Sequence, residues 1–149
     1  MQLFTRTIWI DKPPEAVFDF FVDFTQAPRW RQYVRSMAAL EPGPLHAGSK
    51  IGVTMDLAGE DYTLELDVVA VERPALWRHR THEPDYVGDI EYRFDQEAKG
   101  TRVTMRVSAT PVGLYGWLGL PLILLGRRRS YQRQLPQLKT VMEAPAGDR

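Results

Sequence analysis

Trp77-Arg78-His79-Arg80 is the stretch whose residue types could do chemistry. Side chains alternate along an extended segment, so Trp77 and His79 share one face and Arg78 and Arg80 the other. If Trp77 points inward, His79 follows it and becomes the best acid–base candidate, since an imidazole changes charge near neutral pH. The same pattern also fits a histidine at a strand end, hydrogen-bonded or half exposed, and it leaves the parity open. Tyr62 and Tyr92, in two other alternating segments, are the phenols that could move protons beside it. His79 and His82 are three apart and fall on opposite faces of a strand, while His46 sits among prolines and glycines, so no metal site is expected. With no cysteine there is neither a thiolate nucleophile nor a cysteine zinc site. Nucleophile elbow, phosphate loop and dinucleotide fingerprint are all missing, and no cofactor is expected. Gly113, Gly116 and Gly119 have the spacing of small-residue packing, and Glu83, Asp85, Asp89 and Glu91 read as a solvated rim around one turn.

Composition narrows the classes. A chain of 149 residues, with 19 basic and 19 acidic side chains, has the size of one domain and lacks the basic excess of a protein that tracks phosphates. Nucleic acid is therefore not expected as a partner. Met1-Gln2-Leu3-Phe4-Thr5-Arg6 carries no apolar run behind a basic start, so no signal peptide is expected, and the lack of cysteine fits a reducing cytoplasm. The apolar stretch Leu114 to Leu125 falls short of the ~20 residues that a membrane-spanning helix needs.

The elements follow from periodicity. Leu3 to Ile10 reads as a first strand. Asp11-Lys12-Pro13-Pro14-Glu15 reads as a helix start capped by Asp11, and Val17, Phe18, Phe21 and Phe24 give that helix about three turns. A second short helix is predicted over Pro28 to Val34, with Trp30 and Tyr33 as its large residues. From Ser49 the period becomes two. Ile51 to Leu57, Tyr62 to Val68, Leu76 to Thr81, Ile90 to Phe94 and Val103 to Val107 alternate between turns, as antiparallel strands with one covered face do. The covered face needs a partner, which leaves the segment Leu114 to Glu143. Pro121 and Pro136 should kink or restart that helix, and Tyr131, Leu135, Leu138 and Met142 form its packing stripe. The first half is apolar on two sides, with Leu120 and Ile123 opposite Leu118 and Leu125. Three covers are open for the second side: packing within the chain, a second subunit, or a membrane surface helped by Arg127-Arg128-Arg129. The whole chain, 1–149, reads as one domain, with 144–149 as a frayed tail.

The order of strand, helix with a Pro-Pro start, Trp-bearing helix, meander and long helix resembles the START-like or Bet v 1-like superfamily, the polyketide cyclase/dehydrase and lipid-transport group. The resemblance is carried by Asp11-Lys12-Pro13-Pro14-Glu15-Ala16-Val17-Phe18-Asp19-Phe20, Pro28-Arg29-Trp30 and Val34, then Tyr92-Arg93-Phe94, Gly100-Thr101-Arg102-Val103-Thr104, and Leu135, Leu138-Lys139 and Glu143. It spans Leu3 to Glu143 and implies an α+β helix-grip fold: a curved antiparallel sheet wrapped around a long C-terminal helix, with two short helices after the first strand. It implies too a cavity for a hydrophobic molecule, since members bind lipids, sterols, polyketides or quinones and some cyclise or dehydrate them. On this reading the ligand surface comprises Met55, Leu57, Leu64, Leu66, Val68, Trp77, His79, Tyr92, Phe94, Met105, Val107 and Leu118; a solid core would show the same alternation. The preferred function is binding of a lipid, isoprenoid or polyketide-like molecule. The rivals are a cyclase or dehydrase using His79, Tyr62 or Tyr92, and an interaction protein docking through Leu114 to Leu125 on a membrane or a second copy.

Overall fold

The computed structural model describes residues 2–145, the side chain of Leu124 excepted. Met1 and most of the expected frayed tail, 146–149, lie outside the described residues. In chain order the elements are β1 (Gln2–Ile10), α1 (Pro14–Val22), a 3-10 turn (Phe24–Gln26), α2 (Ala27–Trp30), β2 (Val34–Ala39), β3 (Lys50–Leu57), β4 (Glu60–Glu72), β5 (Leu76–His82), β6 (Tyr86–Glu97), β7 (Gly100–Pro111) and α3 (Gly113–Glu143).

The seven strands make one antiparallel sheet in the order β1-β7-β6-β5-β4-β3-β2. Strands β2 to β7 are a meander, as short turns between sequential strands favour. A register shift between Val68 and Ala70 in β4 marks a bulge, one of the devices that bends a sheet. The inner face collects Ile51, Val53, Leu66, Trp77, Tyr92, Phe94, Val103 and Met105, all buried. On the outer face Asp89 pairs with both Arg78 and Arg80, at 3.1 and 3.0 Å, and Glu91 holds Arg93 at 2.8 Å. Asp89 is thus a cross-strand ion-pair partner, whereas Glu91 pairs with Arg93 along its own strand.

Helix α1 buries Val17, Phe18 and Phe21. Phe21 anchors an aromatic cluster, with ring centroids 4.6 Å from Tyr92, 5.2 Å from Phe94 and 5.3 Å from Trp30. The expected Asp11 cap is not made. Pro13 occupies the cap position without a side-chain bond, and Asp11 lies 3.6 Å from Lys99. The predicted helix over Pro28 to Val34 is also corrected. The chain leaves helical geometry at Arg31, Tyr33 takes φ 67°, and Val34 opens β2. That strand escaped the pattern because Met37 is its one buried residue.

Helix α3 runs unbroken for 31 residues through Pro121 and Pro136. Each proline removes one backbone hydrogen bond, and neither ends the helix here. The helix lies against β1, β7 and α2, and its second half buries Leu135, Leu138 and Met142 of the expected stripe and leaves Tyr131 half buried. Lys139 Nζ fastens it to β1 by donating to Trp9 O at 2.6 Å. The first half makes thinner contact. Leu120 is buried beside Tyr86 and Ala109, but Leu114, Tyr115, Trp117, Leu118, Leu122 and Leu125 stay exposed. Packing within the described chain does not cover that side. Of the three glycines only Gly116 packs tightly, since a Cβ there would run into the carbonyl of Asp85, whereas Gly113 and Gly119 face open space.

Candidate ligand cavity

Because α3 grips the β1 end of the sheet, the concave surface of β3 and β4 is left without a helix over it. The result is a cavity of about 470 Å³ between that surface and residues 126–134 of α3. This lies in the range of small-molecule sites, ~300–1,000 Å³. Met37, Val53, Met55, Leu64, Leu66 and Ile90 give it apolar walls, and Tyr33, Leu57 and Tyr62, all exposed, stand on its rim.

Polar groups gather on the floor. His79 is 4% exposed, and its Nδ1 accepts from Trp77 Nε1 at 3.0 Å. A neutral imidazole that accepts at Nδ1 carries its proton on Nε2. Burial, reinforced by the charge of Arg31, pushes the His79 pKa down to about 3, so the ring is neutral across the physiological range. Tyr92 is fully buried, donates from its hydroxyl to Gln134 Oε1 at 2.5 Å, and stacks with the His79 ring at 6.3 Å between centroids. Burial raises its phenol to about 12, with Arg31 pulling the other way. Arg31 lines the same floor at 6% exposure. Its guanidinium lies 4.2 Å from the Trp30 ring centroid and 4.8 Å from that of Phe21. Burial holds the Arg31 pKa below the usual arginine value, against a smaller opposing pull from Tyr92. Arg31 Nε and Nη2 and Gln32 Oε1 are buried without hydrogen-bond partners.

Of the residues singled out from sequence, Met55, Leu57, Tyr62, Leu64, Leu66, His79 and Tyr92 line this cavity. Val68, Trp77, Phe94 and Met105 do not; they pack into the solid core with α1 and α3, because their part of the sheet is covered. Val107 borders a separate shallow groove with Leu3, Phe4 and Pro121. Leu118 is 69% exposed on α3, far from being a cavity wall. The parity of β5 is settled with Trp77 and His79 inward. His82 lies outside, 3.3 Å from Asp67. Sequence reasoning missed Arg31, Met37, Val53, Ile90 and Gln134 as lining residues. Gln134 was within reach, three residues from Tyr131 on the packing stripe. Arg31 gave no signal, since an arginine is ordinarily read as exposed.

Comparison with known proteins agrees with this architecture. The sequence model of the family described as polyketide cyclase / dehydrase and lipid transport matches residues 1–143. No curated protein matches the chain in sequence. Among solved structures, protein TTHA0849 from Thermus thermophilus superimposes with a TM-score of 0.69 at 17% identity, over 91% of this chain and 92% of that one. A START superfamily protein from Mycobacterium smegmatis gives 0.63 at 10% identity, over 93% and 99%. The di-domain ARO/CYC protein BexL from the BE-7585A biosynthetic pathway gives 0.74 at 18% identity, over 95% of this chain and 50% of that one. These likenesses show the fold. The helix-grip architecture is a START-like fold, and the family match along nearly the whole sequence makes the chain a member of the polyketide cyclase / dehydrase and lipid transport family.

Proposed function

We propose that the protein binds an apolar small molecule, of lipid, isoprenoid or polyketide type, in the cavity between α3 and the β3–β4 surface, and does so in the cytoplasm. The observation that carries this reading is the cavity itself, a space of about 470 Å³ with apolar walls and a few buried polar groups at one end. That combination orients a hydrophobic ligand without supplying bond-breaking groups. Native mass spectrometry of the purified protein, followed by denaturing extraction, tests it. A co-purified apolar molecule near equal stoichiometry is the expected result. A clean apo mass, with no thermal shift from lipids, sterols or aromatic polyketides, would sink the reading.

A cyclase or dehydrase is the second reading, favoured by the common placement of His79, Tyr62 and Tyr92 on one cavity. Against proton transfer stand the neutral His79, whose acceptor Nδ1 is already taken by Trp77, and the 42% exposure of Tyr62. In this setting His79 Nε2–H is better suited to holding a carbonyl in place than to moving its protons, while the Tyr92 hydroxyl is committed to Gln134. A docking role is favoured by the exposed apolar start of α3 beside Arg127, Arg128 and Arg129. The occupant that fits this pairing is an anionic lipid surface, and a second copy of the chain is the competing outcome.

A further inference from the structure

Elsewhere in this chain arginines meet carboxylates through one edge of the guanidinium. Arg73 grips Asp19 through Nε and Nη2 at 2.8 Å each, and Arg102 grips Glu97 through the same two atoms at 2.7 and 2.6 Å. Arg31 has no acceptor on that edge. Nε and Nη2 are the atoms it leaves buried and unpartnered, while the Trp30 and Phe21 rings engage the guanidinium without accepting from its N–H groups. A buried charge without a counter-charge is strongly unfavourable; Tyr92 offers a hydrogen bond, but neither its protonated phenol nor the neutral His79 brings negative charge. The imbalance continues toward the mouth. Arg127, Arg129 and Arg133 also line the cavity, against the single carboxylate of Glu83. Among the described residues none of these four arginines takes part in an ion pair. A chain with zero formal net charge has therefore gathered uncompensated positive charge around one apolar space.

We propose that the cavity takes an apolar organic acid, whose carboxylate closes on the Nε/Nη2 edge of Arg31 while its body lies against Val53, Leu64, Leu66 and Ile90. The proposal rests on the ligand-binding reading above and names its ligand class. A fork-to-carboxylate pair is the strongest single polar contact such a site can offer, and it discriminates against neutral isosteres.

Calorimetric titration with matched probes tests it: laurate against methyl laurate, and 2-naphthoate against methyl 2-naphthoate, on the wild type, Arg31→Met and Arg31→Lys. For at least one pair the wild type should bind the acid at least about tenfold more tightly than the ester. Arg31→Met should lose that preference, keep its affinity for the ester, and melt no lower than the wild type, because it removes an unpaired buried charge. Arg31→Lys, which keeps the charge without the fork, should fall between them. Acid and ester bound equally by the wild type would overturn the anion seat while leaving apolar binding intact. A melting loss with both probes weakened alike in the two variants would make Arg31 a structural residue and overturn the seat as well. If no probe binds the wild type, both the seat and the binding reading fall.

Discussion

At the level of single residues, the burial of His79 ties its imidazole to the acid stability of the whole fold. Unfolded, His79 takes a proton near pH 6.5, whereas folded it resists protonation down to about pH 3. Throughout that window the unfolded state binds more protons. The stabilising contribution is therefore complete above pH 6.5 and shrinks as pH falls, by about 1.4 kcal/mol per unit for one proton. The carboxyls of Asp19 and Asp67, held below 3.8 by hydrogen bonds from Arg73 and Lys50, add their own loss only near and below that value. Urea melts between about pH 6.5 and pH 5 isolate the histidine. His79→Asn, which keeps an acceptor for Trp77 but does not titrate, should flatten the slope by about 1.4 kcal/mol per unit there; equal slopes would mean that folded His79 takes its proton normally. That His79 and Trp77 share a face was legible from alternation alone. Which face it was depended on the rest of the sheet, and the role of Arg31 depended on two aromatic rings brought from α1 and α2, which no local pattern encodes.

At the level of elements, most of the fold was readable because five strands alternate cleanly and the last helix carries its stripe. The failures have specific physical causes. Strand β2 buries only Met37, so it has no period to detect. The turn after Trp30 rests on a left-handed Tyr33, a conformation unusual for a bulky residue and invisible to propensity. The glycines of α3 look alike in sequence but differ in surroundings, which gives a paired prediction. Gly116→Ala should cost about 1–3 kcal/mol, because the new methyl meets the backbone carbonyl of Asp85. Gly119→Ala, in open space, should gain up to about 1 kcal/mol of helix propensity. Thermal melts of the two variants would distinguish them, and equal effects would mean that α3 does not approach Asp85 as described.

At the level of the whole molecule, three of the four cavity arginines and the uncovered apolar side belong to one helix. Trp117 and Leu118 are 66% and 69% exposed, and Arg127 and Arg129 follow about three turns later at the cavity mouth. Among the described residues no helix is long and apolar enough to cross a membrane, so contact through α3 would be peripheral. Sedimentation with vesicles of phosphatidylcholine containing phosphatidylglycerol should carry the protein down, and vesicles of phosphatidylcholine alone should do so much less. Replacing Arg127, Arg128 and Arg129 by serine should weaken binding about a hundredfold, at roughly 1 kcal/mol per arginine, and Trp117→Ser with Leu118→Ser should abolish it. No sedimentation, with a dimer in solution that these two substitutions dissociate, would assign the face to a second copy. Around the cavity four arginines stand against Glu83, yet the chain carries no formal net charge, so the balancing acidic excess lies elsewhere and the molecule has a dipole moment without a monopole. In the field of an anionic surface such an object feels little net pull at a distance yet experiences a torque, and it turns its cavity toward the surface before any atom touches.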